Sequence, residues 1–254
     1  MKRHTTIALV VSAALGAAAS AHATTFADYS AASSDANVAW TQSADLASGS
    51  LATTGMAGSA DTVFSFLSGP LSALTDLQAL LTLSASAPAS DPAVFAGGQL
   101  IEPNLSGSFS FIYEGAAPLH VGTHTYLTGA NLLSGTFSGA EIIGPANGST
   151  GSVQDAVMSG GTVNFTSDFT SFSPIGDKGV SVEMTSVLPS LSALAGSSLS
   201  SFSAVSTGSF AATLVGGGGG GVPEPATWAM MFLGFGGVGV LARRARRLAR
   251  STLV

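Results

Sequence analysis

Residues 179–186, GVSVEMTS, constrain the fold more than any other part of the chain. Val180, Val182 and Met184 alternate with Ser181, Glu183 and Thr185. Successive side chains of an extended strand point to opposite faces, so this order makes one apolar and one polar face. Wound as an α-helix it would scatter the apolar residues around the axis. The same period recurs elsewhere. GSFSFIY sets Phe109, Phe111 and Tyr113 on one face and Ser108 and Ser110 on the other. TVNFTSDF groups Val163, Phe165 and Phe169, and SFAATLV groups Phe210, Ala212 and Leu214. DTVFSFLSG and LQALLTLSAS are further strand candidates; in DYSAASSDANVAWTQSADLASGS strand, loop and weak helix compete, and a strand is favoured over residues 39–43. Short strands of this kind, separated by Gly, Pro, Asn and Asp turns without amphipathic helices between them, predict an all-β domain. The expected architecture is an antiparallel β-sandwich or barrel.

Two stretches are less regular. LPSLSALAGSSLSSF spaces Leu191, Leu194, Ala195 and Leu199 at helical intervals behind Pro189 and Ser190, so a short helix competes there with irregular chain. LSGSFSF at Leu105, LSGTFSG at Leu133 and STGSFAA at Ser206 echo one another at unequal gaps. They read as repeated turn-to-strand chemistry, with glycine in the turn, and not as a solenoid repeat.

The chain holds no cysteine, so the domain must be stabilised by its own core; residues 24–215 are enough for one sizeable core. Between residues 24 and 221 the only Lys or Arg is Lys178, against thirteen Asp and Glu. Such a surface repels phosphate backbones and excludes nucleic acid as a partner.

No catalytic or metal-binding constellation emerges, and no cofactor is implied. His120 and His124 are the only histidines of the central region. Gly122, Thr123 and Thr125 argue against a helix there. On one strand the two would share a face about 13 Å apart, too far for common metal ligation. No G-x-S-x-G elbow, phosphate-cradling Gly-Lys-Ser/Thr loop or calcium-loop spacing is present. The acidic residues lie singly in polar turns.

Both ends of the chain carry targeting chemistry. Lys2, Arg3 and His4 precede an apolar, alanine-rich run from Ile7 to Ser20, followed by Ala21-His22-Ala23. This order reads as a secretory signal helix, cleaved after Ala23. At the other end, six glycines (216–221) form an expected flexible tether. Val222-Pro223-Glu224-Pro225 follows, then residues 226–242 without a charge, then Arg243, Arg244, Arg246 and Arg247 in a tail running to residue 250. The 17 uncharged residues would span about 25 Å as a helix, at the short limit for a transmembrane segment. Trp228 would sit at the outer interface and the arginines in the cytoplasm. Proline keeps the triplet extended and helix-resistant, a form a peptide-cleaving enzyme can grip.

VPEPATWAMM, then LGFGG, then RRARR, together resemble the PEP-CTERM sorting signal in its Trp-Ala variant; the C-terminal module is also labelled after ice-binding proteins. The resemblance covers about residues 222–249. It implies recognition of Pro223, Glu224, Pro225 and Trp228 by exosortase, a membrane-embedded protease resembling a cysteine transpeptidase. Arg243, Arg244, Arg246 and Arg247 would act as the cytoplasmic stop. It also implies export by the secretion machinery, transient residence in the inner membrane, and delivery to the surface or matrix of a Gram-negative bacterium. The expected protein is therefore a non-enzymatic surface or matrix component. The alternative is a module binding extracellular polysaccharide or, with less support, ice. Trp40 is the only tryptophan outside the tail, and the threonines do not recur at fixed spacing.

Overall fold

The computed structural model describes residues 23–154, 161–173 and 177–215. The expected signal helix and transmembrane helix lie outside the described residues. Within them the chain is almost entirely strand: β1 (Thr24–Ala31), β2 (Val38–Gln42), β3 (Gly49–Thr53), β4 (Ala60–Phe66), β5 (Leu77–Ala87), β6 (Val94–Ala96), β7 (Gln99–Tyr113) and β8 (Leu119–Val121). They are followed by β9 (His124–Tyr126), β10 (Asn131–Pro145), β11 (Gly151–Gln154), β12 (Thr162–Thr166), β13 (Ser171–Phe172), β14 (Lys178–Leu188), β15 (Phe202–Ala212) and β16 (Leu214–Val215).

Every pairing is antiparallel, and the ladder closes on itself. β1 pairs β4, β4 pairs β5, β5 pairs β7, β7 pairs β10, β10 pairs β11, β11 pairs β14, β14 pairs β15, and β15 returns to β1. The gap between β15 and β5 is filled in two halves. β1 and β4 take residues 208–212 and 77–81, while β2 and β3 take residues 202–204 and 84–87. Closure leaves few unpaired strand edges, which removes the chief aggregation hazard of a cysteine-free β-domain. The fold is therefore both of the expected architectures: a hydrogen-bonded ring whose opposite walls touch as in a sandwich.

Alternation builds that contact. Phe109, Phe111 and Tyr113 on β7, Val180, Val182 and Met184 on β14, and Phe210 and Ala212 on β15 are all buried. Phe210 stacks on Phe109 at 5.0 Å between ring centroids and meets Phe111 edge-on at 5.5 Å. Tyr29 and Phe64 approach Phe111 from β1 and β4 at 4.9 and 5.0 Å. An interior void lined by Tyr29, Phe109, Phe111 and Phe210 together with aliphatic side chains holds about 10 Å³, at the lower limit for one water. The barrel is thus a packed core and not a ligand chamber.

The echoed glycines do not sit in turns. Gly107 and Gly135 lie in mid-strand on β7 and β10, where Phe109 pairs with Gly135 and Phe137 with Gly107. A Cβ on Gly135 would stand 2.7 Å from Phe109 Cζ, and one on Gly107 would stand 2.3 Å from Ser84 O. Phe109 therefore covers the bare backbone of Gly135 on the neighbouring strand, an arrangement known to rescue strand glycines, whereas Gly107 leaves room for the close approach of Ser84 and Ala85 on β5.

Three further local expectations are corrected. Residues 191–200 form a strap and not a helix, with an isolated bridge between Ala193 and Leu199. Leu191 N donates to Gly148 O and Asn147 N to Leu191 O, and these tertiary bonds replace the intrahelical ones. Phe169 lies beyond β12, because Asp168 is drawn to Asn131 through both backbone and carboxylate bonds. Its ring stacks instead on Tyr126, at 4.0 Å. Leu214 is separated from β15 and begins β16. The chain from residue 24 is also strand earlier than expected: β1 begins at Thr24 and buries Phe26, Ala27 and Tyr29.

Candidate functional site

The two ends of the described domain meet. Thr24 pairs with Ala212, and β16 lies two residues beyond, paired to β13. β15 runs from the far end of the barrel to this one over 11 residues, about 36 Å at 3.3 Å per residue. The tail carrying the sorting residues therefore continues from the end of the barrel that also holds the domain's N-terminus. The opposite end is roofed by the 191–200 strap, the 43–48 turn and the 145–150 turn. Cleavage after Ala23 would leave β1 whole, with its first residue in register. Pro223, Glu224, Pro225, Trp228, Arg243, Arg244, Arg246 and Arg247 all lie outside the described residues.

Glu102, on β7, is the one fully buried acid among the described residues, with 0% exposure. Its Oε2 accepts the Leu199 N–H at 2.8 Å, while Oε1 has no partner. Burial pushes its carboxyl above the usual range. The Leu199 N–H and the Ser198 hydroxyl pull it partly back, although that hydroxyl, also buried, forms no regular hydrogen bond. Trp40 Nε1 donates to Leu199 O at 2.8 Å and Gln42 Nε2 to Ser198 O at 2.8 Å. The three side chains clamp the strap to the barrel rim. A carboxyl sealed beneath a strap reaches no substrate, so the arrangement fits a structural clamp better than a general acid.

The histidines fall on a hairpin and not on one strand. His120 is opposite Thr125 and His124 opposite Val121, so they occupy opposite faces. Both are exposed, and His120 Nδ1 lies 3.1 Å from Thr125 Oγ1. Among the described residues no group of three or more His, Cys, Asp or Glu could hold a metal. On the outer wall, residues of β7, β10, β11 and β14 line a cavity of about 290 Å³. No motif announces it, since its residues are separated by up to about eighty positions and are brought together only by strand register.

The comparison that bears on function falls on the tail. The family model described as the PEP-CTERM protein-sorting motif matches residues 221–247. The chain carries a PEP-CTERM protein-sorting motif. All eight sorting and stop residues read from the sequence lie inside the matched span. The motif supports exosortase-dependent sorting of an exported protein, with membrane anchoring before processing. No curated protein and no solved structure matches the chain. Among the described residues no helix is long and apolar enough to cross a membrane; the segment expected to do so, 226–242, lies outside them.

Proposed function

We propose that this PEP-CTERM protein is a non-enzymatic cell-surface or extracellular matrix component, held briefly in the inner membrane by residues 226–242 and then processed by exosortase near Pro223-Glu224-Pro225. The observation that carries the reading is the order of the tail. A glycine run, the triplet, Trp228, an uncharged span and the arginines follow one another within residues 216–247. The geometry of the domain is compatible with it. Because the tail leaves beside the N-terminus, the folded domain would stand with that end toward the membrane and the strapped end outward. The packed interior, the sealed Glu102 and the separated histidines favour a structural or binding role over catalysis. The exopolysaccharide-rich surface of a Gram-negative cell is the destination this reading assigns.

The test is replacement of the triplet by Pro223→Ala, Glu224→Ala and Pro225→Ala together. The variant should remain in the membrane fraction at full tail length, while the unaltered protein loses its tail. Equal processing of both proteins would overturn the assignment of the triplet as the recognition element.

A further inference from the structure

The cavity of about 290 Å³ on the outer wall is lined by Gln99, Ile143, Pro145, Thr150, Ser152, Gln154 and Glu183, together with the backbone of Gly144 and Gly151. Strand register explains the cluster. Ile143 pairs with Ser152, Ser152 pairs with Glu183, and Pro145 pairs with Gln99. These residues alternate with the buried Ile142, Val153, Val182 and Met184, so they share the outer face. Ser152 is only 8% exposed and forms part of the cavity wall. Its hydroxyl accepts Gln154 Nε2 at 3.0 Å, which holds the amide while leaving its carbonyl and second N–H free. Ser181 donates to Glu183 Oε1 at 3.3 Å, orienting that carboxylate similarly.

The chemistry of the lining selects its occupant. Two amides, two hydroxyls and a carboxylate offer donors and acceptors in close alternation. No cation lines the cavity, and the only Lys or Arg between residues 24 and 221 is Lys178. That residue lies five positions along β14 from Glu183, about 17 Å away. Anionic ligands are therefore repelled, and a single carboxylate is too few for a divalent cation. The volume is close to the lower end, about 300 Å³, of small-molecule sites. Ile143 and Pro145 supply an apolar patch beside the polar groups.

We propose that this cavity binds an uncharged, hydroxyl-rich ligand: one or two units of a neutral saccharide. The proposal rests on the reading of the chain as an exported, displayed protein. The cavity includes the 145–150 side of the barrel, toward the end facing away from the tail, where an extracellular polymer would be met.

The test uses the mature protein purified from the exporting cell. Calorimetric titration with cellobiose, maltose, chitobiose, mannobiose and galactobiose is compared with digalacturonate. At least one neutral disaccharide should give saturable binding at concentrations up to about 10 mM, and digalacturonate should bind more weakly. Gln154→Ala and Glu183→Gln, both at exposed positions, should each weaken that binding by ~10-fold or more with unchanged unfolding temperature. Absence of binding by every neutral sugar, equal or tighter binding of digalacturonate, or binding indifferent to both substitutions would overturn the proposal. Intact mass of the same sample reports separately whether the tail has been removed, so failure of sugar binding is distinguished from failure of the sorting assignment.

Discussion

Phe111→Ala probes the contact between the barrel's opposite walls. The Phe111 side chain is 0% exposed. Its ring lies 4.9 Å from Tyr29, 5.0 Å from Phe64, 6.0 Å from Phe109 and 5.5 Å from Phe210. Truncating a buried phenylalanine removes its transfer free energy and leaves a cavity, together about 3–5 kcal/mol. Four surrounding aromatic side chains cannot collapse far into the space, which places the expected loss near ~4 kcal/mol. That is a large share of the roughly 5–15 kcal/mol of a typical domain. For a domain of this size each kcal/mol shifts the midpoint by about 2–4 °C, so the unfolding temperature should fall by ~8–16 °C. Thermal and urea unfolding of the mature protein, followed by the fluorescence of Trp40, measures both quantities. Phe95→Ala provides the control: that ring is 66% exposed and should change stability by no more than about 0.5 kcal/mol. A loss below ~1 kcal/mol at Phe111, or equal losses at both positions, would refute the packed, wall-to-wall core.

Three further outcomes follow from the same geometry. Glu102 has a folded pKa raised by burial above its ordinary value of 4.5. The folded state therefore holds its proton more tightly. This contribution to stability is fully present below about pH 4.5 and is lost as pH rises through the folded value. Glu102→Gln should raise the unfolding temperature at pH 7–8 and leave it nearly unchanged near pH 4; destabilisation at neutral pH would contradict the sign. Gly135→Ala should destabilise by several kcal/mol, because its Cβ would meet Phe109 at 2.7 Å and Asn164 O at 2.8 Å; a neutral effect in urea unfolding would count against the Phe–Gly pairing. Deleting the glycines 216–221 shortens the expected link by about 20 Å at full extension. It should slow tail removal in a pulse-chase assay, and unchanged kinetics would show that the barrel does not obstruct the processing enzyme.

Period two was the most legible part of the fold. The strands containing Phe109, Val180 and Phe210 follow directly from alternation, as does the burial of their apolar faces. The 191–200 strap was ambiguous for a physical reason. Its leucines have helical spacing, but Leu191, Leu199 and their backbone groups find tertiary partners on Gly148, Trp40 and Glu102. Local pattern cannot anticipate those partners. The mid-strand glycines were misleading because what each one accommodates, Phe109 at Gly135 and the Ser84–Ala85 backbone at Gly107, sits on a different strand. β1 was hidden because Phe26 and Ala27 are both buried across a register shift between Thr25 and Ala27, which interrupts the alternation. The sorting signal was readable because its chemistry is local and ordered along the chain. The outer-wall cavity was not, since Gln99, Ser152 and Glu183 become neighbours only through strand pairing.

The most direct test of the central claim is the intact mass of the native protein from cells with and without a functional exosortase. With exosortase the mass should correspond to a chain beginning at Thr24 and lacking the residues beyond the Pro223-Glu224-Pro225 region. Without exosortase, a protein beginning at Thr24 and ending at Val254 should accumulate in the membrane fraction. A full-length C-terminus in exosortase-containing cells, or an identical loss of the tail in both, would contradict the account.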